Sequence, residues 1–149
     1  MSENSSPESN EVPPLQHAVF DFSYAVPFPY KMANSDASGF PLLKFGKFGA
    51  DLIRFEKGRK VGPHTHPGSH ILVCLQGYGV VWYNGEELKL CPGVCYLIPE
   101  NVPHAVYAHP DTPEALVLMA IGNDHRIVDS EDRLDLTPHE VDIQWSAKP

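Results

Sequence analysis

Three of the chain's eight histidines, His64, His66 and His70, fall within the nine-residue stretch "GPHTHPGSH". A neutral imidazole offers a lone pair to divalent metals, and three rings this close are hard to justify as solvated surface. On an extended strand, side chains two residues apart point to one face, so His64 and His66 form a bidentate clamp. Pro63 and Pro67 restrict the backbone around the pair, and Gly68 permits a turn. His70 then opens the next strand and faces the same point. The chemistry implied is that of a bound cation, which polarises a carbonyl or acidifies water.

Such a site needs strands to present it. From Lys44 to about Gly122 the chain is a succession of short β-prone runs, "KFGADLIRFEKG", "HILVCLQGYGVVWYNGEELKL", "GVCYLIPENVPHAVYAH" and "PEALVLMAIG", separated by turn signals. Asn84-Gly85 is a strong two-residue hairpin signal, because both residues accept positive φ. The region reads as all-β, an antiparallel barrel or jelly roll whose closure removes exposed sheet edges, with 15 prolines and 11 glycines supplying the corners.

The 149-residue length fits one domain, expected over residues 15–149. Residues 1–14, polar, acidic and rich in Pro and Ser, are expected to be a mobile tail. After them "AVFDFSY" reads as a short strand and "PFPYKMANSDASGFP" as a turn-rich arm along a barrel edge or a neighbouring subunit. The charged C-terminal stretch "NDHRIVDSEDRLDLTPHEVDIQWSAKP" is expected to be a surface tail or a short helix over one barrel end, with a lid as the alternative.

A net charge of −8 gives no electrostatic footprint for nucleic acid or an anionic membrane surface, so the expected partner is a small molecule. No apolar run reaches the ~18 to 20 residues of a membrane span, and no export signal opens the chain, which is expected to be cytoplasmic. The three cysteines, Cys74, Cys91 and Cys95, lie in apolar β-like runs and are expected to be buried, unpaired thiols.

Gly58, His64, His66, His70 and Gly77 have the spacing of the first cupin motif, with His70 standing where Glu is usual. Gly93, Pro99, Asn101 and His104 match the second, with Asn101 in place of Gly and Ala108 in place of the final Asn. Asn is the non-glycine residue that best tolerates left-handed geometry, so the turn at Asn101 is expected to survive. The chain therefore resembles the cupin superfamily over a core of residues 58–108. That resemblance implies a double-stranded β-helix with an N-terminal arm, and metal ligation by His64, His66, His70 and His104. His104, alternating with Val106 and Ala108 on one strand face, would supply its ring from across the barrel. The other histidines, His17, His109, His125 and His139, lack such spacing and are expected at the surface.

Four neutral imidazoles leave a divalent ion its full charge, which favours Lewis-acid chemistry over the oxygen activation that a carboxylate ligand supports. Zinc is the expected ion, with Fe, Ni and Cu as alternatives. Such an ion can chelate a 1,3-dicarbonyl as its enolate and hold it near a second carbonyl for an aldol ring closure. A single-domain cupin with four histidines is similar to the cupin-type aromatic polyketide cyclases of bacterial antibiotic pathways. That likeness implies a polyketide-like substrate, zinc and a homodimer. Gln76, Tyr96 and Tyr107 are the candidates for proton transfer, and Leu72, Cys74 and Val106 share strand parity with the ligands and would line a cavity. The alternatives are a cupin dioxygenase of flavonol or diketone type, and a sugar-binding or other small-molecule-binding cupin without turnover.

Overall fold

The computed structural model of the protein describes residues 30–32, 35–124, 135–136 and 140–146. The expected mobile tail, the "AVFDFSY" strand and His17, His125 and His139 lie outside them. No helix forms among the described residues. Among these residues eleven strands build two antiparallel sheets, as the turn-punctuated β-runs require: β1 (Tyr30–Lys31), β2 (Ser38–Phe45), β3 (Phe48–Phe55), β4 (Lys60–Thr65), β5 (His70–Gln76), β6 (Gly79–Tyr83), β7 (Glu86–Leu90), β8 (Cys95–Ile98), β9 (His104–Ala108), β10 (Leu116–Gly122) and β11 (Asp135–Leu136). The six-stranded sheet runs β1-β2-β3-β10-β5-β8 and the five-stranded one β11-β4-β9-β6-β7.

The crossovers place β4 and β5, adjacent in sequence, on opposite sheets, so the histidine-rich segment between them bridges the sandwich. Phe55, Val81, Leu90, Ile98, Leu116 and Leu118 fill the space between the sheets and are almost completely removed from water. Alternation decides which residues enter: along β5, Leu72 and Cys74 are buried while Ile71 and Leu75 are exposed.

The β6–β7 hairpin turns at Asn84 (φ 45°) and Gly85 (φ 96°), as their sequence predicts. The run "KFGADLIRFEKG" is not one strand. Gly46 at φ 59° makes the turn between β2 and β3, and β2 begins earlier, at Ser38, inside the segment that its Pro and Gly mark as a turn. Pro41 is accommodated because the β2–β3 register shifts between Pro41 and Leu43, the kind of bulge at which a residue without an N–H is tolerated. Gly79 sits where β6 and β9 approach closely: a Cβ there would lie 2.1 Å from the Tyr107 carbonyl oxygen.

Residues 140–146 are neither helix nor lid. They run without regular structure beside the five-stranded sheet, where Glu87 accepts the backbone N–H groups of Gln144 at 2.6 Å and Ser146 at 3.2 Å. The Trp145 ring stands 4.7 Å from that of His109, which stands 4.8 Å from Tyr78. All three cysteines are free thiols, as expected, but only Cys74 is buried. Cys95 is exposed because it pairs with Val73 on the outward side of β5 and β8, a parity that apolar neighbours in the sequence do not reveal. Burial pushes the Cys74 thiol up to about 11.

Candidate metal centre

His64 lies near the end of β4 and His104 opens β9, directly opposite it in the strand pairing. His66 follows β4, and His70 opens β5 after the turn at Gly68, which takes φ 84°. The connecting segment is tied down on two sides. Asn101 donates its N–H to the His66 carbonyl at 3.0 Å, and Glu100 donates to Ser69 Oγ at 3.1 Å. From the other side Asn123 Oδ1 accepts the Ser69 N–H at 2.7 Å, and Asn123 N–H reaches the Ser69 carbonyl at 3.2 Å. Asn101 holds φ 60°, the left-handed geometry expected of it.

These elements bring four imidazoles together. The ring centroids of His64 and His104 are 4.2 Å apart, those of His66 and His104 5.0 Å, and those of His64 and His66 5.6 Å. His70 stands 4.5 Å from His66 and 5.4 Å from His104 by the same measure. One donor nitrogen from each of His64, His66 and His104 falls within 4.8 Å of the others, a group able to hold a metal ion. Donors bound at ~2.1 Å to one ion lie roughly 3–4 Å apart, so the three close on a cation with shifts of about an ångström or less.

The tautomers are set by the backbone. His64 Nδ1 lies 2.8 Å from the Gly62 carbonyl oxygen, His104 Nδ1 2.8 Å from that of Val102, and His66 Nδ1 3.2 Å from that of Pro67. A carbonyl only accepts, so each Nδ1 carries the hydrogen, and a neutral ring then keeps its lone pair on Nε2. His104 Nε2 is fully buried with no hydrogen-bond partner, a costly placement for a polar atom unless a cation takes it up. Burial, above all, and then the neighbouring His64 and His70 hold the His104 pKa well below the usual histidine value. The donor chemistry, the tautomers and this buried nitrogen fit a divalent ion.

The rings form part of the wall of an open cavity. Its remaining wall is mostly apolar, including Ile53, Phe55, Leu72, Val106, Leu118 and Ala120. Leu72 and Val106 line it as expected. Cys74 does not: it lies deeper along β5, its Sγ within 3.7 Å of the Gln76 carbonyl oxygen. The three proton-transfer candidates stand elsewhere. Gln76 donates to the Ala115 carbonyl at 3.0 Å, and the Tyr96 hydroxyl bonds the Lys89 carbonyl. Tyr107 is on the opposite side of β9 from His104 and Val106, under Lys60, whose ammonium is 5.7 Å from the ring centre. None of the three lines the cavity. Polar groups that the motif spacing does not reveal, Ser69, Asn123 and Asp124, stand at its mouth. The Asn-Asp pair directly after the apolar β10 run was their one sequence signal, a turn composition that reads equally well as the start of a tail.

Residues 51–121 match the family model described as a cupin domain. No curated protein matches the sequence. Among solved structures the fold is similar to KdgF from a Halomonas species, at 22% identity and TM-score 0.54 over 61% of this chain and 81% of that one. It is also similar to the polyketide cyclase RemF from Streptomyces resistomycificus, at 15% identity and TM-score 0.59 over 77% of this chain and 78% of that one. Salicylate 1,2-dioxygenase from Pseudoaminobacter salicylatoxidans is similar at 20% identity and TM-score 0.56, over 64% of this chain but 26% of the dioxygenase.

Proposed function

We propose, from the premise that this chain belongs to the cupin superfamily, that it is a metal-dependent cyclase closing a ring in a poly-β-ketone by an aldol step with loss of water. One observation carries the reading: the rings of four histidines, three of them with donor nitrogens within 4.8 Å of one another, converge on an apolar cavity with no carboxylate among them. His64, His66, His70 and His104 hold the cation, for which zinc is the proposed identity. When bound, the ion supplies Lewis acidity to a pair of carbonyl oxygens, stabilising negative charge that develops on the enolate.

The chain's own groups do the rest. The fixed Nδ1–H tautomers aim the Nε2 lone pairs without reorganisation, and the depressed basicity of His104 keeps its ring neutral at physiological pH. Leu72, Val106 and Leu118 exclude water and press the polyketone chain into a folded shape, which raises the effective concentration of the two reacting carbons. Asp124, the one carboxylate among the lining residues, is the base that accepts the α-proton. Ser69 Oγ already accepts the Glu100 N–H, so its own hydrogen remains to donate to substrate oxygen.

The test joins metal analysis to an anaerobic assay. Protein purified without added metal is expected to hold about one equivalent of zinc, and to convert a synthetic poly-β-ketone thioester to a cyclised, dehydrated product without oxygen uptake. Likeness to salicylate 1,2-dioxygenase supports the competing reading, and strict oxygen consumption with a redox metal would establish that one instead. Tight binding of metal and ligand with no product would leave a binding protein.

A further inference from the structure

We infer, on the proposed reading of the cavity as the substrate site, that its inner end takes an unoxygenated hydrocarbon terminus of the substrate and that Met32 is the floor limiting the length of that terminus. Strand register orders the wall by depth. His70 faces Gly122 across β5 and β10, Leu72 faces Ala120 one layer further in, and Leu118 follows, opposite Ile53 on β3. From Gly122 to Leu118 is four residues of extended chain, about 13 Å. The other sheet keeps the same order, His64 facing His104 and then Val61 facing Val106. The imidazoles therefore stand near one end of the cavity, and Ile53, Phe55 and Val61 line it further in.

Met32 closes that far end. Its N–H donates to the Ala37 carbonyl at 2.9 Å, and Ser38, the next residue, faces Arg54, which sets Ala37 level with Phe55. Ser35 Oγ donates to the Met32 carbonyl at 3.1 Å and accepts the Ala37 N–H at 3.0 Å, while the Asp36 N–H reaches the carbonyl of Lys60, where β4 begins, at 2.9 Å. These bonds tie β2 of one sheet to β4 of the other at the end away from the histidines, and the Met32 side chain, buried there, lines the cavity. The two ends differ in chemistry. Ser69, Asn123 and Asp124 stand with the imidazoles, whereas the side chains of Met32, Ile53, Phe55 and Val61 offer no hydrogen-bond donor. Asp51, on the same side of β3 and opposite Ala120, is fully buried and forms no part of the wall. A ketone oxygen carried to the inner end would lose its hydrogen bonds to water and gain none from these side chains, a cost that a methylene or an aryl ring does not meet. The carbonyls of the substrate accordingly stay with the cation and the mouth, and the group that reaches Met32 is alkyl or aryl. An unbranched thioether adapts its rotamers to the end of such a group.

The floor can be tested without turnover. Isothermal titration of the full chain as purified, with 2,4-alkanediones of increasing tail length and with 1-alkanols of the same tails, is expected to show affinity rising about fourfold per methylene up to a limiting length and no further. Met32→Ala is expected to move that limit out by about two methylenes and Met32→Phe to move it in, each in a chain checked for native circular dichroism. Met32→Leu, close in volume, and Leu97→Ala, on the outer face of the sheet, are expected to leave it in place. Affinity independent of tail length in the wild-type chain would overturn the inference, as would one and the same limit in folded Met32→Ala and Met32→Phe chains. Diones that bind no more tightly than the alkanols, with the length limit intact, would remove the chelated dicarbonyl of the proposed reaction and leave the hydrocarbon floor standing.

Discussion

A histidine offers a cation one ring nitrogen at a time, and the carbonyls of Gly62 and Val102 decide which one for His64 and His104. His70 stands where a family carboxylate is usual, so His70→Ala is expected to lower metal occupancy, with affinity falling about tenfold or more by isothermal titration. His70→Glu is expected to keep the ion and change the reactivity. Unchanged metal binding and activity in both variants would remove His70 from the ligand set. Asp124→Asn is expected to retain full metal content while the proposed cyclase activity falls at least about a hundredfold in kcat, the usual scale for a general base. Equal loss of metal would make Asp124 a structural residue instead. For His104 the sign follows from its lowered pKa: in the metal-free protein the unfolded chain takes up a proton below about pH 6.5 that the folded ring refuses. Metal-free stability is therefore expected to fall as pH drops from 7 to 5, by up to about 1.4 kcal/mol per pH unit, and His104→Gln should flatten that slope in urea titrations.

At the level of strands and turns, the positions that read most clearly in the sequence are those where one residue type answers one backbone demand. Asn84-Gly85 and Asn101 are such positions, and all three take the positive φ their chemistry suggests. Asn101→Gly is expected to be neutral or slightly stabilising, whereas Asn101→Val should cost about 1–2 kcal/mol by denaturant unfolding and disturb the bond that holds the His66 carbonyl. The ligand spacing was equally legible, because a period of two and a turn suffice to predict how His64, His66 and His70 converge. Pairing across the sheets was not. Nothing local in "GND" says that β10 will end beside Ser69, and nothing local in Tyr107 says that it faces away from His104. Those facts follow from long-range strand order, as does the outward turn of Cys95. The hairpin at Gly46 was hidden because Pro41, a residue that ordinarily ends strands, sits inside one at a bulge.

The whole molecule is two-sided. One sheet turns an apolar surface outward, and the other carries charges and the chain's own C-terminal segment. Glu87 anchors that segment through the N–H groups of Gln144 and Ser146. Glu87→Ala is expected to cost about 1–2 kcal/mol and to expose the peptide bonds near residue 144 to limited proteolysis, with metal binding unaltered. Protection equal to wild type would show that the Trp145 and His109 rings suffice.

The short segment bearing His66 and Ser69 is braced from both flanks, and at Gly68 a methyl group would collide with the Asn123 carbonyl oxygen at 2.3 Å. A hoop fixed at that many points has no hinge. A cation held by these residues would therefore be released one donor at a time, and its isotope exchange is expected to be slow even where the equilibrium affinity is modest.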